Sequence, residues 1–135
     1  MRRALGWIGL ALIWSGAAAG SATAVHGTGG PLQTITAEQV KRLLEAGDRP
    51  IFVDLRPADE FKKSHLPEAR SIPLPELRKR YAEVPRTGRV ILYCACSPLE
   101  IQAAFQFLRD EGYRNVVVLE GGYPGWLKLG YPMER

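Results

Sequence analysis

Three short, almost unbroken apolar runs constrain this chain more than any other feature. They are Ile51-Phe52-Val53-Asp54-Leu55, Val90-Ile91-Leu92-Tyr93 and Val116-Val117-Val118-Leu119. A strand with one wet face alternates apolar and polar residues, so a run without alternation has both faces covered. Segments of helical character lie between the runs. Thr36-Ala37-Glu38-Gln39 fits a capping box, in which the Thr hydroxyl and the Gln side chain each satisfy an orphan amide. Val40, Leu43 and Leu44 follow at helical spacing, and Gly47 fits the stop. Pro57 to Phe61 opens a helical turn, and a short helix covers Pro75 to Ala82 after the proline-rich text from Pro67. Ser97, Pro98 and Glu100 form a second helix start, with Ile101, Ala104, Phe105 and Leu108 as its core face and Gly112 as its end. Gly121-Gly122 marks a tight turn, and Pro124 opens a last helix carrying Trp126 and Leu127. Strands alternating with helices predict an α/β fold: an open parallel sheet with helices on both faces, in a single domain.

The first 24 residues read as a separate segment. Met1-Arg2-Arg3 is basic, Ala4 to Ala19 is apolar and uncharged, and Ala22-Thr23-Ala24 has the small-x-small form of a cleavage site. The apolar run is shorter than the roughly 20 residues that span a bilayer. A signal peptide over residues 1–24 is therefore expected, with export to the periplasm and no stable membrane span after cleavage; an uncleaved anchor is the alternative. Gly-rich residues 25–34 read as a flexible tether, and residues 35–135 as the domain. Removing the first 24 of 135 residues leaves 111, enough for one core. It also takes the 18 basic residues to 16 against 14 acidic ones, and the net charge from +4 to +2. Such a near-balanced domain gives no reason to invoke nucleic acid, and Lys62-Lys63 and Arg78-Lys79-Arg80 read as solvated faces.

Both cysteines, Cys94 and Cys96, lie where the second apolar run meets the Ser97 helix start. That edge of an open parallel sheet is where ligands bind. A helix amino terminus favours anions, so a thiol there is shifted towards its nucleophilic thiolate. The loop amides of Ala95 to Leu99 are placed to cradle an anionic adduct. On position alone, Cys94 is a nucleophile or a small apolar residue tucked behind the strand.

Around that cysteine the sequence resembles a single-domain rhodanese, over roughly Ile35 to Pro132. The resemblance is carried by Val53-Asp54-Leu55-Arg56 with Glu60-Phe61, His65-Leu66 and Ala69-Arg70-Ser71-Ile72-Pro73; by Val90-Ile91-Leu92-Tyr93-Cys94; and by Gly112-Tyr113-Arg114-Asn115-Val116 with Leu119-Glu120-Gly121-Gly122 and Gly125-Trp126. It implies a rhodanese-like fold and a ping-pong sulfurtransferase. Cys94 takes a sulfane sulfur from a small donor, thiosulfate or a persulfide, and passes it to cyanide or a thiol, including a protein thiol. No cofactor is implied, because the cysteine itself carries the sulfur. Ala95, Cys96, Ser97, Pro98 and Leu99 would line the substrate site, with Asp54, Arg56, His65 and Glu100 in support. Many family members carry an arginine five positions after the cysteine, where this chain has Leu99, which puts efficient use of thiosulfate in question. Phosphatases of the same fold use a Cys-x5-Arg loop, and Glu100 at that sixth position would repel phosphate.

Cys96 admits several roles: a strained, labile disulfide with Cys94, a guard or resolving thiol for it, or a plain loop residue. A zinc pair lacks further ligands, since the only histidines are His26 and His65. His65 is read as ordering the loop after the first run or as an acid–base group. Asp54 and Arg56 pair near the active edge, Glu100 closes the cap with Ser97, and Phe105 and Trp126 sit in the core. Two functions follow: an exported sulfurtransferase using a Cys94 persulfide, or a periplasmic thiol-redox or sulfur-carrier protein cycling the Cys94/Cys96 pair. An inactive interaction module is the bland third.

Overall fold

The three apolar runs form the centre of one parallel sheet. In the computed structural model, which describes residues 30–135, they are β2 (Ile51–Asp54), β4 (Val90–Tyr93) and β5 (Val116–Leu119). They lie side by side in the order β5-β4-β2. The signal peptide expected over residues 1–24 and the first five residues of the expected tether lie outside the described residues. Among the described residues, no helix is long and apolar enough to cross a membrane.

Alternate side chains of each strand feed two separate cores. Val53, Val90, Leu92, Val116 and Val118 pack with Leu77 of α3 (Leu77–Arg80) and with Ala104, Phe105 and Leu108 of α4 (Pro98–Asp110). Phe52, Ile91, Tyr93 and Leu119 pack instead with Val40 of α1 (Ala37–Glu45) and Trp126 of α5 (Gly122–Lys128). This two-sided burial is why the runs do not alternate, and each large apolar side chain so buried stabilises the fold by about 1.5–3 kcal/mol. Phe105 and Trp126 are core residues, as expected. Both predicted capping boxes are formed, Thr36 with Gln39 and Ser97 with Glu100. Pro57 precedes α2 (Ala58–Lys63), the predicted turn after β2.

The structure adds to the sequence reading at three places. Two edge strands of two residues each, β1 (Thr34–Ile35) beside β5 and β3 (Arg70–Ser71) beside β2, complete the order β1-β5-β4-β2-β3. The sheet therefore begins inside the stretch assigned to the tether: Thr34 is paired, and the Gln33 carbonyl accepts from the Val118 amide at 2.9 Å. The short helix expected over Pro75 to Ala82 is broken into a 3-10 turn (Leu74–Glu76), α3 and a second 3-10 turn (Tyr81–Glu83). Finally, α5 starts at Gly122 rather than Pro124, after Gly121 turns the chain through the left-handed region at φ 72°.

Candidate active site

Cys94 is the first residue after β4, at the carboxyl edge of the sheet, and only 8% of it is exposed. Both neighbouring strands hold this corner. The Leu55 amide, after β2, donates to the Tyr93 carbonyl at 3.0 Å, and the Tyr123 amide, after β5, donates to the Cys94 carbonyl at 2.9 Å. Gly122 makes the second contact possible. It has a left-handed φ of 54°, and a Cβ there would overlap the Cys94 carbonyl oxygen. Only glycine lets the two loops approach so closely. The sequence reading took Gly121-Gly122 for a tight turn and missed this role.

Cys94 and Cys96 are joined in a disulfide, with Cα atoms 5.3 Å apart. The linked loop stands between two depressions, and Cys94, Ala95 and Cys96 line both. One, about 340 Å³, is walled by Leu32, Pro98, Val118, Glu120 and Pro124. The other, about 220 Å³, is walled by Leu55, Arg56, Glu60, Leu74 and Glu100. Of the predicted substrate contacts, Ser97 and Leu99 line neither. The Ser97 hydroxyl and amide are both engaged by the Glu100 carboxylate, at 2.8 and 2.9 Å, and Leu99 is 78% exposed on the outer face of α4. Donation from the Ser97 amide, then from its hydroxyl, holds the Glu100 carboxyl below its ordinary pKa.

Arg56 is the one basic side chain lining either depression, among the described residues. It is 2% exposed and already committed. Its Nε donates to Asp54 Oδ1 at 3.0 Å, and its Nη2 donates to Asp54 Oδ2 and to the Ser64 carbonyl, both at 2.7 Å. Its plane stacks 3.5 Å from the Tyr123 ring centroid, and Nη1 lies 3.8 Å from a Glu60 oxygen. Burial works against the guanidinium charge, but the hydrogen bond and charge of Asp54 outweigh it and hold its pKa above the ordinary value. Asp54, fully buried, also accepts from the Arg56 amide at 2.9 Å and from the Tyr93 hydroxyl at 2.6 Å. Tyr93 in turn accepts from the Leu66 amide at 3.1 Å. Burial first, then the Asp54 charge, raises the Tyr93 pKa, so the phenol stays a neutral donor. The Tyr123 and Ser64 hydroxyls share a 2.6 Å hydrogen bond. The predicted Asp54–Arg56 pair is thus one part of a network that ties β2, β4 and α5 together beneath the cysteine loop. Tyr93 and Tyr123 were not read from sequence.

His65 lines neither depression. Its Nδ1 lies 2.9 Å from the Phe61 carbonyl, its ring stacks on Phe61 at 4.0 Å, and its backbone exchanges two hydrogen bonds with Glu134. Of the two readings, ordering of the loop after β2 is the one this placement supports.

The sequence model described as the rhodanese-like domain matches residues 36–129. The chain belongs to the rhodanese-like family. A sulfurtransferase of Allochromatium vinosum is 28% identical over 99 residues, 73% of this chain and 92% of that protein. An HTH-type transcriptional regulator of Mycobacterium tuberculosis is 34% identical over 79% of this chain, which spans about half (47%) of the regulator's length. Among solved structures, a thiosulfate sulfurtransferase from Pseudomonas aeruginosa is 33% identical with a TM-score of 0.65, covering 77% of this chain and 20% of that one. A rhodanese-related protein from Thermoplasma volcanium is 27% identical with a TM-score of 0.66, covering 76% of this chain and 97% of that one. Sulfur transfer is therefore supported for this rhodanese-like domain at the level of its family.

Proposed function

We propose that this rhodanese-like domain is an exported sulfurtransferase that carries sulfane sulfur on Cys94. The observation that carries the reading is the position of Cys94: the carboxyl end of the central strand, before the amino terminus of α4, bordering both depressions. In the reduced protein the Cys94 thiolate attacks the sulfane sulfur of a donor. The donor's sulfur–sulfur bond breaks, releasing sulfite from thiosulfate or a thiolate from a persulfide, and a Cys94 persulfide remains. An acceptor thiolate or cyanide then attacks the outer sulfur, and Cys94 leaves as the thiolate.

Among the described residues lining the depressions, the charges supply no free cation for the thiosulfate dianion. Glu60, Glu100 and Glu120 line the depressions, and Arg56 is already paired with Asp54. The Cys94–Cys96 disulfide is the specific observation behind a second reading, a thiol-redox or sulfur-carrier protein that cycles the pair with a partner. The pattern of residues 1–24 supports export to the periplasm. Thiocyanate formation from cyanide, with reduced protein and either inorganic polysulfide or thiosulfate as donor, tests the first reading. Turnover with polysulfide that disappears in Cys94→Ser is expected; equal turnover by that variant would remove Cys94 from the role.

A further inference from the structure

We infer that Cys96 discharges the Cys94 persulfide, so that the domain reduces sulfane sulfur to hydrogen sulfide at the expense of a dithiol. The inference rests on the persulfide reading and adds a product and a co-substrate to it. The Cys96 sulfur reaches the Cys94 Sγ within the native loop, since the two are bonded while β4, the Tyr123–Cys94 hydrogen bond and the Ser97 cap all stand in place. In the persulfide that Sγ is the inner sulfur, and Cys96 is the neighbouring nucleophile. Attack there is intramolecular and needs no encounter with an acceptor.

The surroundings favour release rather than retention of the outer sulfur. The one guanidinium beside the loop gives Nε and Nη2 to Asp54, while Glu60 and Glu100 face the same depression. Among the described residues lining the depressions, an anionic terminal sulfur therefore finds carboxylates and no free cation.

The step balances. The Cys96 thiol gives its proton to the terminal sulfur and its thiolate forms a bond to Cys94 Sγ; the Sγ–sulfur bond breaks, and the outer sulfur departs with that electron pair as hydrosulfide. The product is the Cys94–Cys96 disulfide seen in the structure. A dithiol then reduces that disulfide by two exchange steps and is itself oxidised. Overall, one sulfane donor and one dithiol give hydrogen sulfide, the donor's leaving group and one oxidised dithiol.

A single turnover tests this on the full-length protein. Reduced protein, freed of reductant, receives one equivalent of inorganic polysulfide, and intact mass and free sulfide are followed together. The wild type is expected to gain one sulfur and then lose it, ending two hydrogens lighter with stoichiometric sulfide. Cys96→Ser and Cys96→Ala, checked for an unchanged thermal melt, are expected to hold the added sulfur and release sulfide at least about a hundredfold more slowly. If both variants release sulfide at the wild-type rate, or the wild type also keeps its sulfur, the discharge role is overturned while the Cys94 persulfide stands. If the Cys96 variants never gain sulfur, the persulfide reading itself fails and takes this inference with it.

Discussion

Asp54→Asn is expected to destabilise the domain far more than an ordinary surface change. The carboxylate is fully buried and accepts from four donors: the Arg56 amide, its Nε and Nη2, and the Tyr93 hydroxyl. Asparagine keeps the shape, but it turns an amide nitrogen towards donors and leaves the buried Arg56 charge uncompensated. Removing one partner of a buried ion pair costs about 3–5 kcal/mol. For a domain of this size each kcal/mol lowers the melting temperature by about 4–8 °C, so a fall of at least about 12 °C is expected. Tyr93→Phe removes one hydrogen bond to the carboxylate and one acceptor from the Leu66 amide, with the ion pair intact. It should cost less, about 1.5–3 kcal/mol. Urea and thermal unfolding by circular dichroism read both variants. If Asp54→Asn melts within about 3 °C of wild type, less than a single kcal/mol by the same conversion, the network does not hold this edge.

Further consequences concern the loop. Gly122→Ala places a methyl group against the Cys94 carbonyl oxygen at a left-handed φ. About 1–3 kcal/mol of stability should be lost, together with most sulfur loading of Cys94, read by melting and by intact mass. Leu99→Arg adds a cation beside the loop without disturbing the core, since Leu99 is 78% exposed. Its kcat/KM for thiosulfate should rise about tenfold, or 1.4 kcal/mol, close to the worth of one charge pair in water. Ser97→Ala should cost about 1 kcal/mol through the lost cap. Because the Glu100 pKa is lower folded than its ordinary 4.5, its contribution is full above that value and fades as the pH falls through the folded pKa. Melting curves of Glu100→Gln and wild type should therefore converge below about pH 4.5.

What the sequence disclosed follows from burial. β2, β4 and β5 were legible because both their faces are covered, which leaves three or four apolar residues in a row. β1 and β3 were not: Thr34, Arg70 and Ser71 sit at the sheet's margins, and two residues carry no period. Cys94 was legible because a buried strand ran straight into the Ser97-Pro98-x-Glu100 cap. Tyr93 was hidden because an aromatic at the end of an apolar run looks like core, although its hydroxyl joins Asp54 to Leu66. Gly122 was hidden for another reason. Its glycine requirement comes from a carbonyl 28 residues away in the chain, between positions 94 and 122, which no local pattern encodes.

The central claim is that Cys94 is the atom that accepts sulfur, and peptide mass mapping after polysulfide treatment of the reduced Cys96→Ser protein tests it most directly. The account predicts one added sulfur on the peptide that contains Cys94, removed by cyanide with release of thiocyanate. A Cys96→Ser protein that gains no sulfur, beside a Cys94→Ser protein that gains it on Cys96, would contradict it.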